Sequence, residues 1–179
     1  YQLNNEPVVM DFISEELCDH LDDFNVIEVD TTLKAFAKDT FNISFQFESG
    51  GLAELIDDEL YLKPGIFSGE DKNVFVSEKR HFPVEFTYRS MDVERNNFEF
   101  PEGAAVVEMP KNVRISSKYI KYSRIINVLS QNPLKISYNR NLKVNTLTIP
   151  AVVYKELRRD FARIVDADQE QIIIKLKSE

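Results

Sequence analysis

The sequence predicts a mainly β fold, a β-sandwich that carries one C-terminal amphipathic helix followed by a final strand. Three observations lead there. Phe41, Ile43, Phe45 and Phe47 alternate with Asn42, Ser44, Gln46 and Glu48, a period of two that places all the apolar side chains on one face. Short alternations of this kind recur through residues 24–149 and are punctuated by Gly50-Gly51, Pro64-Gly65, Pro101-Glu102-Gly103 and Asn132-Pro133. After Pro150 the period changes. Val153, Leu157, Phe161, Ile164 and Val165 then recur at helical steps, before Ile172, Ile173 and Ile174 run out as a strand.

Taken in order, residues 7–12 form an apolar run, and Ser14 followed by Glu15 and Glu16 has the character of a helix N-cap with acids in the first turn. A brief helix to about Asp22 is expected. Cys18, His20 and Asp22 invite a nucleophile–base–orienter reading, but i, i+2 positions point to different faces of a helix and do not converge. Residues 1–23 read as a linker or the tail of a preceding domain, and residues 24–179 as the sandwich. Within it, residues 26–29 and 33–37 are weaker strands before the one at 41–48, and residues 59–62 lead into the Pro64-Gly65 turn and a polar loop to Asp71. The acids Asp57, Asp58, Glu59, Glu70 and Asp71 lack the alternating oxygen ligands and central glycine of a calcium loop.

Residues 74–76 open a second half, in which Val84, Phe86 and Tyr88 face one way; Pro83 suits a strand's first position. Residues 93–100, a turn at 101–103 and a return over 104–107 predict a meander. Further short strands are expected around Ile115, at 119–122 and 125–129, and over Leu134, Ile136 and Tyr138, with Asn139-Arg140-Asn141 as a turn before residues 142–144. The helix is expected over residues 151–165, with Lys155, Glu156, Arg158, Arg159, Asp160 and Arg163 on its polar face. Its apolar face must close one face or end of the sheet core, because helix propensity alone supplies far less than the roughly 1.5 to 3 kcal/mol gained per buried side chain.

Composition narrows the function classes. The 179 residues carry a net charge of −8, 43% apolar residues and one cysteine, Cys18, so neither an intrachain disulfide nor a multi-cysteine zinc site is available. No run of eighteen apolar residues occurs, so no direct membrane insertion is expected. The first residues show no signal pattern, and the chain reads as a segment of a longer protein. Five glycines form no phosphate-binding loop, and His20 and His81 stand apart from any metal-ligand spacing, so no cofactor or metal is expected. The absence of tryptophan weakens a carbohydrate-binding reading.

The charge is unevenly spread. Residues 1–110 hold 24 acidic and 8 basic side chains, whereas residues 111–155 hold nine basic and no acidic ones. Spread over alternating strand positions of an acidic protein, this basic block does not suit nucleic acid. Pairing beside acidic strands, or docking to an acidic neighbour, suits it better. Lys118, Lys121 and Arg124, with Tyr119 and Tyr122, are the candidate interaction face. A row formed by Tyr119, Tyr122 and Tyr138 would serve a ligand-binding or adhesion sandwich if exposed, while a carboxylate-based hydrolase would need a cleft with raised carboxyl pKa values.

Several stretches, in order, resemble a family. Asp58-Glu59-Leu60-Tyr61-Leu62-Lys63-Pro64, then Lys79-Arg80-His81-Phe82-Pro83-Val84-Glu85-Phe86, then residues 99–110, and finally Pro150, Tyr154, Leu157, Phe161, Gln171 and residues 172–175 are similar to an uncharacterised domain. That domain follows the transglutaminase-like core in bacterial cell-envelope proteins, especially of Bacteroidetes. The resemblance covers residues 57–177, with residues 30–48 similar to the stretch just upstream. It implies an immunoglobulin- or fibronectin-like sandwich in an exported, periplasmic or extracellular protein, with the catalytic Cys-His-Asp upstream and outside this chain. The function it implies is a non-catalytic accessory or interaction domain. The implied partners are the upstream transglutaminase-like domain and an envelope protein or peptide.

Overall fold

The computed structural model describes Ile13, residues 23–30 and residues 44–177. The chain forms two compact units, Tyr1–Glu54 and Leu55–Glu179. In chain order the strands are β1 (Asn25–Asp30), β2 (Ser44–Glu48), β3 (Ala53–Ile56), β4 (Glu59–Leu62), β5 (Val84–Glu85), β6 (Ser90–Glu99), β7 (Ala105–Glu108), β8 (Val113–Ser116), β9 (Ile120–Gln131), β10 (Leu134–Val144), β11 (Thr148–Ile149) and β12 (Ile172–Lys175); the helix α1 (Tyr154–Gln169) precedes β12. The fold is mainly β, with one C-terminal helix followed by a strand, as the sequence predicts.

In the first unit β1 and β2 form an antiparallel pair, and the half-buried Phe45 and Phe47 occupy one face of β2 with their rings 5.7 Å apart. The helix expected over residues 14–22, the Cys18, His20 and Asp22 group, the strand at 33–37, and Phe41 and Ile43 lie outside the described residues.

The second unit is built on two four-stranded antiparallel sheets, in the orders β6-β10-β9-β8 and β3-β4-β12-β7, in a sandwich-like arrangement. The acidic pair Asp57-Asp58 is the tight turn between β3 and β4, where Asp57 takes a positive φ of 55° that a short polar side chain tolerates. One face of β10 is buried along its length, and the matching face of β9 from Ile120 to Ile126. Ile120, Tyr122, Leu142 and Val144 pack in one core with Tyr154, Leu157, Phe161, Ile164 and Ala167 of α1 and with Ile115 of β8. Further along the same face Ile126, Leu134, Ile136 and Tyr138 are buried, while the second sheet buries Leu62, Ile172 and Ile174. Gly65, just beyond β4, lies so close to Tyr138 that an added Cβ would stand 3.0 Å from its hydroxyl.

Several sequence expectations are corrected. The meander does not form, because at Pro101-Glu102-Gly103 the chain leaves the first sheet and enters the second: β6 and β7 belong to different sheets, and Gly103 makes the change at φ +83°. Residues 120–122 and 125–129 belong to one continuous strand, β9, with Tyr119 just before it, and Asn139-Arg140-Asn141 is no turn but the middle of β10. The strand expected over Val84, Phe86 and Tyr88 shrinks to β5. Its partner β11 offers only two residues, the last backbone bond running from Phe86 N–H to the Leu147 carbonyl, and Tyr88 is left exposed; Val74 to Val76 form no strand either. Finally α1 runs on to Gln169, ending where Glu170 turns extended, and Asp160, expected on the polar face, is buried.

Candidate functional site

The alternation of a strand decides where the candidate residues go. Along β9, Lys121 points out of the sandwich, while Tyr122 and Arg124 take the buried face and are 2% and 0% exposed. Lys118 and Tyr119 precede β9, the first exposed and the second half-buried; the Lys118 ammonium stands 5.7 Å from the Tyr119 ring. The proposed face of Lys118, Lys121, Arg124, Tyr119 and Tyr122 is therefore split between the two sides of one sheet. Arg124 and Tyr122 are not available to a partner. Tyr138 is buried as well, so the tyrosine row is packed, against the adhesion reading.

Turned inward, these residues build an ionic seam between the sheet, the end of α1 and the loop after β4. Arg124 lies directly opposite Arg140 of β10, two buried cations side by side that need negative partners. For Arg140 the main partner is Asp168, itself buried: Arg140 Nε donates to both carboxylate oxygens at 3.0 and 3.1 Å, and Nη2 donates to Oδ2 at 2.8 Å. Arg140 Nη1 reaches Asp92 of β6 at 2.9 Å. Arg124 donates to the Ala167 and Lys111 carbonyls and, at 2.6 Å, to Glu170, so its charge sits at the negative end of α1. The Tyr122 hydroxyl donates to Asp168 at 2.7 Å, and the Glu70 backbone N–H donates to it at 3.1 Å.

A second carboxylate pins the same loop. Glu94 of β6 accepts from the backbone N–H groups of Ile66, Phe67 and Ser68 at 2.7 to 3.0 Å, and from the Ser68 hydroxyl at 2.7 Å. The acids Glu70 and Asp71, which carry no calcium pattern, also serve the loop: Asp71 accepts from Lys63 at 3.0 Å and from Gln169 at 2.9 Å. Among the described residues no group of three His, Cys, Asp or Glu side chains is placed to hold a metal ion.

The electrostatics follow from burial. Burial first, then the hydrogen bond to Asp168, pushes the Tyr122 hydroxyl well above the ordinary tyrosine range; burial, with the Asp168 and Glu94 charges, does the same to Tyr138. Burial opposes the Arg140 charge, but the bond to Asp168 and the nearby carboxylates outweigh it and raise its pKa. Burial also raises the Glu70 carboxyl, against the opposing influence of Arg140. Asp168 is thus engaged by Arg140, Tyr122 and a backbone N–H at once, an arrangement that fixes three elements together and leaves this carboxylate no free direction toward a substrate.

Glu70 stands beside a groove of about 380 Å³ and mixed polarity, lined also by Glu85, Val74, Phe86 and Tyr88. Of the seam residues, the sequence singles out Arg124 and Tyr122, but as parts of an outward face; Arg140, Asp168 and Glu94 were not singled out, although for the first two a signal was present. The inward alternation Leu134, Ile136, Tyr138, Leu142, Val144 passes through position 140, and Asp168 lies four residues beyond Ile164 on the apolar side of α1.

Comparison with known proteins follows this geometry. A family model described as a Domain of Unknown Function with a solved structure, DUF3858, matches residues 58–174. A crystal structure of a "putative protease" from Parabacteroides distasonis has a TM-score of 0.53 and 19% identity, and the match covers 67% of this chain and 24% of that one. The likeness is one of fold, and the chain spans about a quarter of the length of that protein. No curated protein matches.

Proposed function

We propose that this chain, which belongs to the DUF3858 family, serves as a non-catalytic accessory domain that makes protein contacts within a longer protein. The observation that carries this reading is the commitment of the buried charges. Arg124, Arg140, Asp168 and Glu94 are spent on holding α1 and the loop after β4 against the sheet. The likeness to about a quarter of a much longer protein described as a protease supports an accessory place beside a catalytic part. Together with the resemblance of residues 57–177 to the domain that follows a transglutaminase-like core, it points to a transglutaminase-like peptidase as the catalytic neighbour. By the same resemblance the protein is exported, to the periplasm or beyond, and an envelope protein or peptide is a second candidate partner.

One observation favours a rival. The raised Glu70 carboxyl beside its groove is where a carboxylate-based hydrolase would have to work. Both readings meet in one assay, in which the purified chain and its Glu70→Gln variant are incubated with a mixed peptide library across acidic to neutral pH. The accessory role requires no cleavage by either protein. Cleavage by the parent chain that Glu70→Gln abolishes would replace it with the hydrolase.

A further inference from the structure

The outward face of the sheet β6-β10-β9-β8 is cationic on an otherwise acidic protein. Its residues are the odd-numbered positions of β6 and β10 and those aligned with them on β9 and β8. Lys121 lies directly opposite Lys143, a like-charge cross-strand pair that destabilises the free sheet. Arg114 is opposite Ser123 in the next row, and Arg95 is opposite Asn139. All four cations are exposed, and among the described residues none of them is in an ion pair. The one acid on this face, Glu99, stands at its far end, bound to Lys135 at 2.9 Å. Between the cations run Ser123, Asn139 and Asn141, short groups that both donate and accept, and no aromatic ring occurs on these outward positions.

We propose that this open sheet face is the docking surface of the domain, and that its partner is an acidic protein surface. The inference rests on the accessory reading and names the side of the molecule that makes the contact. Charge complementarity selects the partner: carboxylates brought to this face would relieve the Lys121–Lys143 repulsion. A face without aromatics, on a chain of net charge −8, has neither the stacking platform nor the overall field that a nucleic acid needs. The sequence assigns the contact to Lys118, Lys121 and Arg124; the structure keeps Lys121, buries Arg124, and adds Lys143, Arg114 and Arg95.

The test uses the whole chain, poly-L-glutamate as the acidic polypeptide probe, and double-stranded DNA and heparin as rival polyanions, at low and moderate salt. Lys121→Glu/Lys143→Glu reverses the sheet face, and Lys155→Glu/Arg163→Glu makes the same charge change on the exposed side of α1. Binding to polyglutamate that weakens with salt, falls about tenfold in the first variant and is nearly unchanged in the second is the expected result. Equal losses in the two variants would reduce the effect to net charge and overturn the proposal, as would no binding by the parent chain or tighter binding to DNA or heparin. Lys143→Glu alone, which places a carboxylate opposite Lys121, is expected to weaken binding while raising the thermal midpoint; a lowered midpoint would mean lost structure and would count against the proposal. Peptide cleavage by the chain would overturn the accessory reading, whereas equal losses in the two double variants would leave that reading standing and remove only this face.

Discussion

Arg140 is the residue on which the seam turns. Removing it leaves Asp168 buried with a single side-chain donor, Tyr122, so Arg140→Ala is expected to destabilise the chain by about 3 to 5 kcal/mol in denaturant unfolding. Replacing both partners with apolar residues, Arg140→Met with Asp168→Leu, is expected to cost far less, because no unpaired charge remains. The tyrosines give the seam a pH signature. In the folded chain Tyr122 and Tyr138 hold their protons above the ordinary value of 10.0, so below pH 10 both states are protonated and stability is at its full value. Above pH 10 the unfolded chain releases these protons first, and stability falls as pH rises. Urea titrations at pH 9 and at about pH 11 should show that fall, smaller in Tyr122→Phe than in the parent. Arg140 was hidden in the sequence for a physical reason. Between two asparagines it has the composition of a turn, whereas its long stem and five donors let it occupy an inward strand position once Asp168 arrives from a helix 28 residues away.

At the scale of elements, α1 was legible because its apolar repeat is long and strong. Leu157, Phe161 and Ile164 are buried as the spacing requires, and Phe161 meets the ring of Phe75 edge-on at 4.7 Å. Phe161→Ala is expected to destabilise by about 3 to 5 kcal/mol, and a loss below about 1 kcal/mol in denaturant unfolding would contradict this docking. The strands were legible as runs of alternation but not as partners. Nothing local in residues 93–107 distinguishes a hairpin from a chain that changes sheets, because the choice is made by β12, which pairs with β7 and β4 from far along the sequence. The shortness of β5 has the same origin: its length is set by the two residues of β11 rather than by its own pattern.

For the whole molecule, the sequence carried the class of the fold and the separation of charge, and left open which side of the sheet the basic block would face. The block proves to be divided. Arg124 and Arg140 go inward to neutralise the end of α1 and Asp168, while Lys121, Lys143 and Arg114 go outward to solvent. Strand alternation makes that division, and it becomes readable only once the buried face is known. On the reading we propose, the cations displayed on the open sheet face make contact with another part of the longer protein. The most direct test is hydrogen exchange on residues 55–179, compared between this chain alone and the longer protein in which we place it. Slower exchange in the longer protein over β6, β8, β9 and β10, with α1 unchanged, is the expected result. Identical exchange on those strands in the two forms, or protection confined to α1, would contradict it.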